Sequence, residues 1–536
     1  MIPLSFKRLA LASLVVVGLS GCADELFVAN PNAPTPAVLT SEEGVRRVAT
    51  GLYVPIDGFI TWYAFQYHEG MGDAVPSRVG NFTFVDVVNP ERIIYSVPGV
   101  PDNTPQQSRG FADQPTVLAQ TNTRLNADNP TAFEWTYMYR VVGEANRILQ
   151  SLENPATTFL GTAAEQDAKK QGFKAWAHFW KGYAYSRIGL LYERGLILDT
   201  AGTTNSNYRT PDEMITESNR QLDLAIASSA GIGSIATAVV PDLFGAKPTS
   251  ASFAQAASTI KARNLLSRRY RSDMTQADWQ AVKAAADAGL RSNANTIQVK
   301  SDATTYGGTG TLIYRASGLG PTWAYVSQRL IQEFAPGDKR LAFGTTATAT
   351  SYVRVASTAD DLTSSQLASS GTNYFARGNN SLTNGRGLPP VFENVVGAVP
   401  TYLVSAEEAM MASAEASLAL GQPGDAATMI DAVRTMQGAG LPALAASAVT
   451  PELIRRERRV ALVGRGLSYY DARRFKITLP VAQGGGRTGA HVWYPVNGGT
   501  SFKLDRNATI VYNFRPYWPV PAGEAELNPG VNVTPK

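Results

Sequence analysis

The chain is predicted to be mostly α: a tetratricopeptide-like α-superhelix of paired helices carrying a large loop-rich second lobe. Three observations predict this. Apolar residues recur with a 3.6-residue period in many segments of the 536-residue chain, from about 13 to about 31 residues long. The segments pair off across short breaks such as Tyr270-Arg271-Ser272-Asp273 and Gly421-Gln422-Pro423-Gly424. Between them lie long stretches rich in Gly, Pro, Ser and Thr without a lasting period. Helix pairs of this kind bury each other's apolar faces only by stacking in sequence.

The elements follow in chain order. Lys7 and Arg8 precede an apolar run from Leu9 to Leu19, then Leu19-Ser20-Gly21-Cys22. A cationic start, a short apolar core and small residues before a cut read as an export signal. The last four residues resemble the bacterial lipobox, and Cys22 is the only cysteine. The reading is a signal over 1–21 and lipidation at Cys22; two or more acyl chains anchor a protein stably where one does not. With Cys22 acylated, no disulfide forms, and the body depends on its core. Residues 22–40 hold Asn30-Pro31-Asn32-Ala33-Pro34-Thr35-Pro36 and read as an extended tether, because each Pro removes a donor and disfavours helix before it.

Thr40 or Ser41 then caps a helix with Glu42 and Glu43 in its first turn. Helical periods follow over Thr131 to Leu152, Ala163 to Glu193, Pro211 to Ser228, Ser252 to Tyr270, Thr275 to Arg291, Pro400 to Leu420, Gly424 to Met436 and Pro451 to Val463. Thr210 precedes a Pro at the first helical turn, and Thr275 with Asp278 makes a capping pattern. Ala409, Ala412, Ala416 and Ala419, then Ala426 and Ala427, resemble a tetratricopeptide unit, in which small residues let two helices approach; the other spacings are irregular. The helical scaffold is assigned to 41–58, 127–292 and 398–466. The loop-rich lobe is assigned to 59–126, 293–397 and 467–536, within one body over 41–536.

Charge excludes a phosphate-binding surface. The chain has 48 basic and 44 acidic residues, and losing Lys7 and Arg8 narrows the difference further. The basic run Arg455-Arg456-Glu457-Arg458-Arg459 is interrupted by an acid on a helical pattern. No nucleic-acid partner is expected. Chemistry-bearing motifs are sparse. His68, His178 and His491 are the only histidines and lack metal-ligand spacing, so neither a metal nor a cofactor is expected. There is no phosphate-cradling Gly-Lys-Ser/Thr loop and no Gly-x-Ser-x-Gly elbow. His178, among Trp176, Phe179 and Trp180, reads as a packed core residue. Glu69 and Asp73, four apart, are the one acid/base candidate and read as solvated carboxylates. Aromatic rings are the larger resource. Trp62, Tyr63 and Tyr67 crowd one loop, and Trp323 and Tyr325 sit two apart in another. Their flat faces suit the C–H face of a sugar ring when exposed, and fill the interior when not.

Near the C-terminus the residues resemble a known family. Pro400-Thr401-Tyr402-Leu403, Glu407-Glu408-Ala409 and Ala414-Glu415-Ala416 lead to Leu453-Ile454-Arg455-Arg456-Glu457-Arg458-Arg459-Val460-Ala461-Leu462. Gly464-Arg465-Gly466, Tyr470-Asp471 and Arg473-Arg474 follow, and the chain closes on Tyr517-Trp518-Pro519-Val520-Pro521 and Asn528-Pro529-Gly530. With Gly337-Asp338-Lys339-Arg340 mid-chain and the lipid signal in front, this order is similar to the SusD/RagB family of outer-membrane nutrient-binding lipoproteins. Ala472 and Val520 depart mildly from its pattern.

The resemblance implies about four tetratricopeptide-like helix pairs plus a loop-rich face. It implies a lipid-anchored protein on the cell surface that caps a TonB-dependent SusC-like barrel transporter and binds an oligosaccharide, or a peptide, without catalysis. The family's binding residues have no motif, so none is carried over. Glu457, Arg458, Arg459, Asp471, Arg473 and Arg474 are read as a structural motif in which Glu457 pairs with Arg473 or Arg474. Two other functions remain open: a surface glycan-degrading enzyme using Glu69 or Asp73, and a protein-only assembly scaffold. The lipid reading has a direct check. Intact-mass measurement of the native protein is expected to find fatty acid on Cys22, and recovery from the cytosol without it refutes the anchor.

Overall fold

The structure, a computed structural model, describes residues 39–59, 67–76, 83–104, 112–230, 248–301, 326–343, 353–355, 361–363, 381–382 and 399–530. Helices dominate: α1 (Glu42–Gly51), α2 (Tyr53–Phe59), α3 (Pro130–Glu153), α4 (Ala163–Leu191), α5 (Pro211–Ser229), α6 (Ser250–Ser267), α7 (Gln276–Asp287), α8 (Gln328–Ile331), α9 (Ala406–Ala419), α10 (Pro423–Met436), α11 (Pro451–Ala461), α12 (Ser468–Arg474) and α13 (Ala522–Leu527).

Local chemistry starts most of them within a residue or two of the expected positions. The Ser41 hydroxyl accepts from the Gly44 amide. Reciprocal capping boxes open α4 (Thr162/Glu165), α5 (Thr210/Glu213), α6 (Thr249/Ser252) and α7 (Thr275/Asp278). Each satisfies amides that the first helical turn leaves without partners.

From α3 to α7 each helix packs on its predecessor, and α7 then packs on α9, which packs on α10 and α11. The long segment between α7 and α9 therefore leaves the stack unbroken, as in an α-superhelix. One large apolar core runs through these helices and into the C-terminal segment. At its centre Trp180 sits edge-on to Tyr53, Trp176 and Phe179, with ring centroids 5.5–5.7 Å apart.

Strands are the main departure from the sequence reading. β1 (Arg92–Ile94), β2 (Asp361–Thr363), β3 (Arg487–Val496) and β4 (Ser501–Val511) form one antiparallel sheet. The long β3–β4 hairpin is its centre; β1 and β2 pair with opposite ends of the free edge of β4. Residues 467–530, assigned to loops, thus contain the longest strands described. Val399–Tyr402, assigned to the start of a helix, is a strand pairing with Gln298–Ser301, and α9 begins only at Ala406, capped by Ser405. Pro400 has no amide to donate and suits a short edge pairing. The stretch 59–126 also contains helices, Phe84–Val88 and Gln114–Thr121.

Contact between α4 and α5 depends on a missing side chain. A Cβ at Gly189 would lie 2.9 Å from Met214 Cβ and 3.1 Å from Ile215 Cγ1. Gly143, inside α3, faces open space within 4 Å. Gly189→Ala is therefore expected to lower stability by about 1–3 kcal/mol through overpacking, and Gly143→Ala to raise it by up to about 1 kcal/mol through helix propensity. Urea unfolding of both variants checks the pair; equal effects would contradict the tight contact.

Candidate functional site

The chemistry of the fold gathers where the turn at 67–76 meets α8, α11 and the β3–β4 hairpin. Asp73 in this turn adopts a φ of 56°, and the turn fits against α12 because residue 72 is glycine: a Cβ there would lie 2.3 Å from Ser468 Cβ. Its backbone is bonded from several sides. Ser327 donates its amide to the Ala74 carbonyl (3.0 Å) and its hydroxyl to the Asp73 carbonyl (2.7 Å). The Arg459 guanidinium donates to the Gly72 and Asp73 carbonyls.

Both carboxylates of the turn are buried. Asp73 is gripped at both oxygens by Arg329, at 2.6 and 2.9 Å. Burial alone would raise the Asp73 carboxyl; Arg329, with Arg487 and Arg459 behind it, brings it below the ordinary range. Glu69 accepts from the Gly466 amide (2.7 Å) and the Ser468 hydroxyl (2.6 Å), and burial pushes its carboxyl up despite these bonds. The two are neither solvated nor an acid/base pair across a cleft, which corrects the sequence reading.

Beside the turn is a polar cavity of about 560 Å³ between α8, α11 and β3. Glu333 stands in its wall. Arg455 holds both Glu333 oxygens at 2.9–3.0 Å, Arg487 reaches Oε1 at 3.1 Å and Arg456 reaches Oε2 at 3.2 Å. Burial opposes ionisation of Glu333, and Arg455, Arg487 and Arg459 together drive its carboxyl below the usual range. Gln332 ties the segment to the hairpin by accepting from the His491 amide (2.8 Å) and donating to the Gly489 carbonyl (3.1 Å). Phe475 and Ile477 supply the apolar part of the lining.

The residues read as a structural motif have other partners than expected. Glu457 pairs with Arg340 (2.7 Å) and Arg434 (2.9 Å) instead of Arg473 or Arg474. Arg340 is also held by Asp338 (2.7 Å), which explains the Gly337-Asp338-Lys339-Arg340 segment. Arg474 makes a bidentate clamp on Glu415, at 2.6 and 2.7 Å, and Asp471 bridges Arg474 and Arg458. Arg473 bonds carbonyls: Leu190 at the end of α4, Ser267 at the end of α6, and Pro516. It caps two helix C-termini whose carbonyls lack helical partners.

Of the aromatic candidates, Tyr67 is a core residue, 2% exposed, packed on Phe84 and Trp518 with centroids 4.9 and 5.5 Å away. It offers no face to a ligand, which corrects its assignment. Trp62, Tyr63, Trp323 and Tyr325 lie outside the described residues, as does Cys22. His178 is partly buried and bonds Gln221 through Nδ1 (2.7 Å). The sequence reading missed the role of His68, whose Nε2 lies 2.7 Å from Glu134; Glu134 also binds Arg187 at 2.7 Å, all three buried. Their separation along the chain left no spacing to read. Among the described residues no three His, Cys, Asp or Glu side chains form a metal-binding group, and no helix is long and apolar enough to cross a membrane.

The fold of this chain is similar to those of several solved structures, SusD-like proteins among them. A SusD-like protein from Bacteroides fragilis NCTC 9343 aligns at TM-score 0.56 and 17% identity, covering 92% of this chain and 97% of its own. Surface glycan-binding protein A from Bacteroides uniformis aligns at 0.54 and 15% identity, covering 91% and 98%. A chain crystallised with xylogluco-oligosaccharide aligns at 0.58 and 15% identity, covering 92% and 98%. Residues 406–536 match the SusD family by sequence. The likeness to the SusD family is thus one of sequence over the C-terminal quarter and one of fold over nine-tenths of the chain. No curated protein matches the sequence.

The junction predicts a pH dependence. Asp73, Glu134 and Glu333 are held below their ordinary values in the fold. Carboxyls depressed in this way contribute stability that is complete above the unfolded values of about 4 and disappears as pH falls through the folded ones. Glu69, shifted upward, offsets part of this loss. The urea midpoint is expected to fall steeply below about pH 4, less so in Glu333→Gln, whose midpoint at pH 7 is lower. A profile unchanged by that substitution would contradict the assignment.

Proposed function

We propose that the protein is a cell-surface lipoprotein that binds a glycan, or another oligomeric nutrient, and delivers it to a TonB-dependent SusC-type transporter in the outer membrane. The observation that carries this reading is the SusD-like fold over nine-tenths of the chain, shared with a surface glycan-binding protein. The lipobox-like Leu19-Ser20-Gly21-Cys22 supports anchoring by lipid. Trp62, Tyr63, Trp323 and Tyr325 remain the candidate stacking faces, and the large helical face the candidate surface for the barrel. We read no catalytic role: the carboxylates named for an enzyme, Glu69 and Asp73, are spent on internal bonds.

Calorimetric titration of the mature chain against neutral oligosaccharides and peptides tests the reading. Binding of at least one oligomer in the micromolar to millimolar range is expected, with weakening of about tenfold or more when a stacking ring is truncated, on the scale of the about 1–3 kcal/mol that an aromatic ring contributes by stacking on a nucleic-acid base. Purification from native membranes is expected to retain a β-barrel partner. No ligand at high millimolar concentration and no co-purifying barrel would sink the proposal.

A further inference from the structure

We propose that the cavity between α8, α11 and β3 is a binding site for an anionic group, a carboxylate or sulfate, carried on a sugar ring. The anion site stands without the glycan reading above; only the sugar ring rests on it.

Three observations carry the anion. The first is room: about 560 Å³ lies within the range of small-molecule sites. The second is charge. Arg329, Arg455, Arg456, Arg459 and Arg487 gather at the cavity and beneath it, and among the described residues the carboxylates they pair with are Asp73, Glu333 and Glu452. Asp73 is taken by Arg329, and Glu333 is shared among four guanidiniums, so guanidiniums outnumber the carboxylates that pair with them among the described residues. The third is unmet donors. The Arg487 side chain is 7% exposed and lines the cavity, yet it makes one hydrogen bond, to Glu333. Its Nε lies 3.8 Å from Asp73, and neither Nε nor Nη2, both shut off from solvent behind the cavity wall, has a hydrogen-bond acceptor. Arg459 Nε is in the same condition, 3.7 Å from Glu333.

Buried donors without acceptors are rare, because each forfeits its bonds to water. Crowded guanidiniums repel, and the surplus is felt: burial and then Arg487 pull Arg459 down to about 9. A planar carboxylate or a sulfate accepts from forked guanidinium donors and supplies the missing charge. The ring is suggested by Phe475 and Ile477, an apolar wall that a site for a small inorganic anion does not need.

The test uses the mature chain with galacturonate, galactose, acetate and sulfate, titrated calorimetrically at low and physiological salt. Galacturonate is expected to bind, galactose not, with affinity falling as salt rises. Arg456→Gln is the first variant, because Arg456 is 43% exposed and its loss spares the buried junction. It is expected to weaken galacturonate by about tenfold or more, the effect of one charge-assisted bond. Arg487→Lys, verified as folded by circular dichroism, is expected to do the same. If acetate or sulfate binds as tightly as galacturonate, the anion site is upheld and the sugar ring is refuted. If no anion binds, or Arg456→Gln leaves binding unchanged, the site is refuted. Anion binding together with failure of every neutral oligomer refutes the glycan reading alone.

Discussion

The fold depends on guanidinium groups taken out of water against carboxylates from distant parts of the chain. α11 is the source: Arg455 holds Glu333, Arg458 holds Asp471, Arg459 holds the turn at Gly72 and Asp73, and Glu457 takes Arg340 and Arg434. Desolvating such ions is expensive, and mutual attraction repays it only when geometry is good and the remaining donors find acceptors. Arginine suits this because its planar fork bonds both oxygens of one carboxylate, as in Arg263 on Glu408 and Arg474 on Glu415. Removing one partner would strand the other in an apolar interior, a loss of about 3–5 kcal/mol.

These clamps also decide which segments meet. Apolar contact is nondirectional and would let α11 rotate or slide within its groove. The Asp338–Arg340–Glu457–Arg434 chain and the Glu415–Arg474–Asp471–Arg458 chain accept one register. Arg473 adds a cap on the ends of α4 and α6 and stacks over Tyr517, with its guanidinium 4.7 Å from the ring centroid. Through α11 and α12 the N-terminal turn, the segment at 326–343 and the hairpin are fixed against the superhelix. The cavity is a consequence of that junction.

What the sequence made legible was local. Capping boxes such as Thr210/Glu213 and Thr275/Asp278 act within four residues, so their spacing alone marked helix starts. The order of SusD/RagB motifs was legible too, but as a pattern without partners. Glu457 could be placed on a helix and given an arginine; that the arginine comes from residues 340 and 434 is a fact of long-range folding. The β3–β4 hairpin escaped because its bulged register between Arg487 and Val492 and the Gly-rich run before it break the period-two alternation that marks a strand. Tyr67 looked like any other ring of its loop in composition; only its position under Phe84 and Trp518 shows it to be a core residue.

The same comparison separates structure from function among the arginines. In two clamps that serve the fold the charges match: Arg263 meets Glu408, and Arg340 and Arg434 meet Asp338 and Glu457. At the cavity they do not, and the mismatch falls on side chains that line open space, Arg456 and Arg487. A further carboxylate from the chain would have closed that gap at little structural expense, as Glu415 does for Arg474. An open acceptor site at the junction of every major segment is what a ligand supplying its own negative charge requires.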